Sequence, residues 1–420
     1  MPFSNIAYRA PKYYFSDTSF QKLMRRRIYH VLLISSAYDA FILEDDGRID
    51  EQIFIEYVSL SLRYPPQFIL ASSEKKAFEI LHDEKIDLVV VMLSSEEVDT
   101  FSLAEKIKGK NPTIPIVVLT PFSREVTLKL NDSSKSVIDY VFSWLGNADL
   151  LLAIIKLIED KMNVDHDIKE VGVQAILLVE DSIRFYSSYL PNMYKIIFKQ
   201  SKDFMTEGLN EHQMMLRMRG RPKILLATTY EEALGLYEKY KRNLLGIITD
   251  MSYPRHGQQE KYAGVKFCEK VQRDDPFMPI LLQSSDKEGE DLAKKLKVGF
   301  INKNSKTISV ELKNFIREYF AFGDFVFSDP ETGDEIARAT DLKSIQELLF
   351  QVPDDALRYQ LSRNQLSKWL RARALFPLAE MLVDITLDDF SDLDEVRRYL
   401  FDSIASFRIS KSRGVIAQFR

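Results

Sequence analysis

The chain has one cysteine, Cys268, among its 420 residues, which excludes an intramolecular disulfide framework and suits a reducing compartment. It has no apolar run of membrane-spanning length. The longest candidates, such as Leu150–Ile158, meet charge within about ten residues. The opening stretch MPFSNIAYRAPKYYF has no apolar core of the signal-peptide kind, so the expectation is a cytoplasmic protein without membrane contact. A strong charge of either sign is missing as well, since the net charge of −5 gives no global pull toward nucleic acid. The five histidines, at positions 30, 82, 166, 212 and 256, show no metal spacing. Neither a Gly-rich phosphate loop of the P-loop type nor a Thr/Ser-x-His segment occurs. What the chain does have is 45% hydrophobic and 28% charged residues, the balance of a soluble globular protein. Its length exceeds one ordinary core, so two to four domains are expected.

Short apolar runs alternate with amphipathic segments over residues 28–320, the pattern of a parallel α/β sheet whose strands are buried on both faces. The alternation occurs twice. IYHVLLISS (28–36), PPQFILASS (65–73), IDLVVVML (86–93), IPIVVLTP (114–121) and VIDYVF (137–142) form the first pass. QAILLVEDS (174–182), PKILLATT (222–229), LLGIITDM (244–251), MPILLQSS (278–285) and VGFINKNS (298–305) form the second. A polar joint is expected near 161–170 (KMNVDHDIKE), after an amphipathic segment Leu150–Lys161 that ends the first unit.

The division predicted from this pattern is a lead-in over 1–27, a first α/β unit over 28–161, a second over 171–321 and an α-rich module over 322–420. Lys22 and Arg25–Arg27 read as a solvated basic lead-in. In the last module, 324–339 reads as a β-hairpin turned by Asp329-Pro330 and Thr332-Gly333, and the remainder reads as helices. Within it, LSRNQLSKWLRAR presents Arg363, Asn364, Lys368, Arg371 and Arg373 in the manner of a DNA recognition helix. Residues 321–420 nevertheless hold 13 Lys/Arg against 17 Asp/Glu, a local net of 13 − 17 = −4, which disfavours phosphate-backbone binding. Tyr359, Leu366, Trp369 and Leu370 fit a packed helical face better. A coupling or interaction module is therefore the expected role, with a DNA-binding output as the alternative.

Carboxylates set directly after buried apolar strands are costly unless water, a cation or a partner satisfies them. Glu180 and Asp181 follow AILLV, and Asp250 follows GIIT, so three acids meet at the carboxyl edge of a parallel sheet, where ligands bind. Such an oxygen-rich cluster suits a hard divalent ion such as Mg²⁺. Ser284 ends the fourth strand and Lys303 the fifth, so a hydroxyl and a cation reach the same rim and could hold a phosphoryl group on Asp250. Each residue alone is commonplace; the five in strand-end order are what point to a site.

These motifs resemble the receiver domain of two-component response regulators. The likeness lies in the acid pair of LLVEDS, in IITDMSYP with Pro254 four residues beyond Asp250, in Ser284 of ILLQSS and in Lys303 of FINKN. The resemblance implies two flavodoxin-like doubly wound (βα)5 receivers in tandem. It implies Asp250 as acceptor of a phosphoryl group from a histidine kinase or phosphotransfer protein. Mg²⁺ would be held by Asp181, Asp250 and the backbone carbonyl of Ser252, with Glu180 assisting. Ser284 would be the switch hydroxyl and Phe300 the aromatic switch residue. Asn304 stands where the family usually has proline, and the connections 183–221 and 251–263 are long for the family. The first includes a helical stretch, 205–223, whose Arg217, Arg219, Arg221 and Lys223 read either as a docking surface or as a solvated helix end.

In the first unit Ser35 and Ser36 stand where Glu180 and Asp181 stand, Met92 replaces Asp250, Thr120 keeps the hydroxyl and Ser143 replaces Lys303. That unit resembles a receiver without its chemistry, expected to serve in packing, homodimerisation or partner binding. The segment after the second unit resembles one that follows tandem receivers in bacterial proteins with a phosphoenolpyruvate-synthase-like (pyruvate, phosphate dikinase) region further on. The expected function is thus phosphorelay signalling, with the regulatory part of such a phosphotransferase as one form of it. A structural tandem with an unused site is the remaining alternative.

Overall fold

The computed structural model describes residues 18–36, 49–92 except 61 and 63, 100–120, 137–144, 148–204, and 214–417 except 216, 384 and 386. A short helix α1 (Thr18–Gln21) leads into the first sheet, whose strands are β1 (His30–Ile34), β2 (Gln67–Ala71), β3 (Leu88–Met92), β4 (Ile116–Thr120) and β5 (Tyr140–Ser143). They lie parallel in the order β2-β1-β3-β4-β5. Helices α2 (Ile49–Ser59), α3 (Glu74–Asp83) and α4 (Thr100–Lys110) connect them. Ser73 starts α3 by accepting the Lys76 amide at 3.2 Å. Helix α5 (Ala148–Val171) follows.

The second sheet repeats the pattern with β6 (Ala175–Val179), β7 (Lys223–Ala227), β8 (Leu244–Asp250), β11 (Ile280–Ser284) and β12 (Gly299–Asn302). Its parallel order is β7-β6-β8-β11-β12, the same 2-1-3-4-5 arrangement of a flavodoxin-like doubly wound fold. Nine of the ten strands fall within the predicted apolar runs, and β5 passes the end of its run by one residue, Ser143. The connecting helices are α6 (Ile183–Asp203), α7 (Tyr230–Tyr240), α8 (Ala263–Asp274), α9 (Glu288–Leu296) and α10 (Ile308–Tyr319).

The expected polar joint at 161–170 is not a joint. It is the second half of the continuous 24-residue helix α5. Asp160, Asn163, Val164 and Asp167 recur at helical spacing on one face, and that face is buried. Its acids hold the basic residues of the long connection. Asp160 pairs bidentately with Arg221, at 2.8 and 3.0 Å, and accepts from Tyr194 at 2.9 Å and from the Ile224 amide at 3.0 Å. Asp167 pairs with Lys223 at 2.9 Å and accepts from the Met24 amide at 3.1 Å. Arg221 and Lys223 are therefore neither a docking surface nor a solvated helix end; they are buried tethers. Of the stretch expected to be helical, 205–213 and 216 lie outside the described residues. The lead-in is tied to the same helix, with the Arg26 amide donating to Asn163 at 2.9 Å and the Ile28 amide to Glu159 at 3.1 Å. Lys22, by contrast, is exposed.

Helices α5 and α6 each follow a strand of one sheet and touch a strand of the other: α5 packs on β7, and α6 packs on β5. The Tyr186 hydroxyl donates to the Val141 carbonyl, and the Ser143 amide donates to the Ser187 hydroxyl at 2.9 Å. One apolar cluster runs from Val31 and Val90 through Ile154 and Tyr194 to Ile176 and Ile316, joining both units.

The last hundred residues begin with the expected hairpin, β13 (Phe325–Ser328) against β14 (Glu335–Ala339). Helices α11 (Leu342–Leu348), α12 (Asp354–Ser362), α13 (Gln365–Ala372), α14 (Phe376–Val383) and α15 (Leu393–Ala417) follow around their own apolar core. The segment read as a recognition helix breaks at Asn364, which has φ of 52°. Its cations turn onto the protein itself. Arg373 donates to the Ala321 carbonyl at 2.8 Å and lies 3.6 Å from the Trp369 ring centroid, and Arg363 lies 4.7 Å from that of Phe277. Lys368 is 4.0 Å from Asp275, and Arg371 is 3.0 Å from Glu380. No helix among the described residues is long and apolar enough to cross a membrane.

Candidate metal centre

The strand-end residues of the second sheet meet as the alternation predicts. Glu180 and Asp181 leave β6, and Asp250 is the last residue of the adjacent β8. One carboxylate oxygen from each of the three lies within 4.8 Å of the others. Lys303, just past β12, places its Nζ 2.6 Å from Glu180 Oε2 and 2.8 Å from Asp250 Oδ2. The same ammonium lies 4.4 Å from the centroid of the Phe185 ring in the first turn of α6. The Oδ1 of Asp250 accepts the Met251 amide at 2.7 Å.

Three carboxylates meet one ammonium here, and burial dominates the titration of all three. Burial pushes the Glu180 carboxyl up to about 8; Lys303 opposes the shift and Asp250 adds to it. Burial and the Asp250 charge raise Asp181 to about 6. Asp250 is also raised, by burial, with Lys303 pulling it down. A hard divalent cation fits this all-oxygen set, which has more anions than its single lysine can balance.

Backbone packing fixes where Asp250 sits. A Cβ on Gly264, near the start of α8, would lie 1.9 Å from the Asp250 carbonyl oxygen, so only glycine allows α8 to approach this closely. Across the rim, the Ser284 hydroxyl accepts the Asp286 amide at 2.9 Å. A Cβ at Gly289 in α9 would lie 2.7 Å from Ser284 Cβ and 3.0 Å from Phe300 Cε2, so the start of α9 rests on both. Phe300 is half-buried. No cis peptide occurs among the described residues, so Lys303–Asn304 is trans.

The long connection after Asp250 is not an irregular loop. It contains a two-stranded hairpin, β9 (Tyr253–Arg255) with β10 (Gln258–Glu260), turned by His256 and Gly257 at φ 52° and 76°. Gln259, which the sequence did not single out, donates its side-chain amide to Asp181 Oδ2 and to the Ser252 hydroxyl, both at 3.2 Å. Its only sequence signal is the His-Gly pair at the turn.

At the first sheet's carboxyl edge, Ser35 directly follows β1, Met92 ends β3, and Thr120 pairs in register with Ser143. No group of three or more metal-ligating residues other than the Glu180 cluster occurs among the described residues.

No protein-family model matches the chain, and no curated protein matches it. Solved structures similar to it include a response regulator, a signal receiver domain and response regulator/GGDEF domain proteins. The response regulator TrrA from Thermotoga maritima, in complex with Mg²⁺-BeF, is 17% identical with a TM-score of 0.24, over 31% of this chain and 97% of its own. The receiver domain of an HD domain-containing protein from Pseudomonas fluorescens Pf-5 is 19% identical at 0.24, over 34% and 97%. A two-component response regulator/GGDEF domain protein is 13% identical at 0.26, over 68% and 98%. The fold assignment itself rests on the strand order and parallel registers given above.

Proposed function

We propose that the second unit, residues 171–321, is a receiver phosphorylated on Asp250 by a histidine kinase or phosphotransfer protein in a Mg²⁺-dependent reaction. The observation that carries this reading is the meeting of Glu180, Asp181 and Asp250 with Lys303, at 2.6 and 2.8 Å, on the carboxyl edge of a 2-1-3-4-5 sheet. Mg²⁺, held by Asp181, Asp250 and the Ser252 carbonyl with Glu180 assisting, would offset charge on the phosphoryl oxygens. A carboxylate oxygen of Asp250 forms the new bond to phosphorus, while the bond from phosphorus to the donor breaks and the donor leaves with the electron pair. Lys303, already paired with Asp250, neutralises charge that the phosphoryl group brings. Ser284 and Phe300 both lie against the start of α9, which supports a role for them in registering the modification.

On this reading, residues 28–161 form a unit with the same fold whose matching strand-end positions, Ser35, Ser36 and Met92, carry no acids, serving as scaffold or partner surface. Residues 322–420 form the module that the signal reaches. The test is electrophoresis on a phosphate-affinity gel after incubation with Mg²⁺ and acetyl phosphate or phosphoramidate. A retarded band in wild type and none in Asp250→Asn is expected; equal retardation of both would refute Asp250 as acceptor.

A further inference from the structure

We infer that Gln259 is a positioning residue for the cation: its single amide nitrogen sets the spacing between two groups that hold the metal. The inference rests on the cation site proposed above and adds a residue supplied by the hairpin. Asp181 comes from the end of β6, whereas Ser252 lies two residues beyond β8, so the backbone alone leaves their separation to two different loops. Gln259 Nε2 reaches both at 3.2 Å. It uses Oδ2 of Asp181 and the side chain of Ser252. Gln259 thus makes no demand on Oδ1 of Asp181 or on the main-chain carbonyl of Ser252. The amide bond and the metal therefore do not compete for the same atoms.

The hairpin that presents Gln259 is anchored at several points. Tyr253 is fully buried and its hydroxyl meets Thr249 Oγ1 at 3.2 Å. Arg255 lies 4.6 Å from the Tyr230 ring centroid and 3.3 Å from Glu260, which also pairs with Lys266. The His256 amide donates to Glu231 at 3.0 Å. In register, Gln259 faces Pro254 at the middle of the hairpin. With the backbone held on both sides, the Gln259 side chain acts from a fixed base. Groups that orient metal ligands in this way typically change affinity by about 10–100-fold when removed.

The test is Mn²⁺ binding to the full chain, read by the loss of the free-ion electron paramagnetic resonance signal, with no phosphoryl donor present. Wild type should bind one Mn²⁺, and Gln259→Ala should bind it about tenfold more weakly, at the low end of the range for such orienting groups. Gln258→Ala, exposed like Gln259 on the same strand, should bind as wild type does. Urea midpoints in chelator should coincide for all three. If Gln259→Ala binds as tightly as wild type while Asp181→Asn loses binding, the cation site stands and the role of Gln259 fails. Equal weakening by both glutamine variants also defeats it, as a general effect of the hairpin. Absence of Mn²⁺ binding in wild type would defeat the cation site and this inference together.

Discussion

Replacing Glu180 with glutamine should stabilise the metal-free protein, although it removes one of the two carboxylates paired with Lys303. Glu180 is fully buried, and its carboxyl is pushed from 4.5 to about 8, chiefly by burial, with the attraction of Lys303 already included. A carboxyl whose folded pKa exceeds its unfolded one contributes its full stability below the unfolded value and loses it as pH climbs through the folded value. The window here runs from 4.5 to about 8. At about 1.36 kcal/mol per pH unit, the accumulated loss is on the order of 3 kcal/mol by pH 7 and 5 kcal/mol above pH 8. Glutamine resembles the protonated acid and escapes this loss, while Asp250 remains to pair with Lys303 at 2.8 Å. Urea unfolding of both proteins in chelator should therefore show equal stability near pH 4.5 and an advantage to Glu180→Gln that widens toward pH 8.5. Added Mg²⁺ should stabilise wild type by mass action and narrow the gap. A Glu180→Gln protein less stable than wild type at pH 8.5 in chelator, or a gap that does not change with pH, would refute the reasoning.

Two further expectations concern the frame that carries the site. Asp160→Asn leaves Arg221 buried without its bidentate partner, so urea unfolding should show a loss of about 3–5 kcal/mol, far more than a surface pair would cost. Gly264→Ala puts a methyl group onto the Asp250 carbonyl, so α8 or the end of β8 must shift. It should cost about 1–3 kcal/mol of stability and weaken Mn²⁺ binding in the same preparation, whereas Gly235→Ala, in open space on α7, should do neither.

The sheets were legible because buried parallel strands must be apolar throughout, and the ten runs have no other economical use. The acids were legible for the opposite reason: Glu180, Asp181 and Asp250 interrupt that apolar rule at the same edge. Helix α5 was misread beyond residue 161 because a polar stretch normally marks solvent. Here Asp160 and Asp167 are buried against Arg221 and Lys223, more than fifty residues away, and no local pattern shows such pairing. Arg221 and Lys223 were read as a docking surface or a solvated helix end on the same ground, since charge alone does not tell a free cation from one whose partner lies elsewhere in the fold. Gln259 was hidden because its role depends on a hairpin register and not on its own neighbours in the chain.

Helices α5 and α6 have a consequence for how the molecule can be taken apart. A cut in the polar stretch at 161–170, where the sequence invites one, would separate Asp160 from Arg221 and lay bare Leu150, Ile154 and Tyr194 on opposite fragments. The fragment bearing Asp250 would also lose the strand that receives Tyr186 and Ser187, the two residues directly after the Phe185 that lies against Lys303. Measurements on such a fragment would describe an altered α6, and with it an altered Lys303, so the first unit, with no carboxylate at its matching strand ends, bears on the proposed site without lining it.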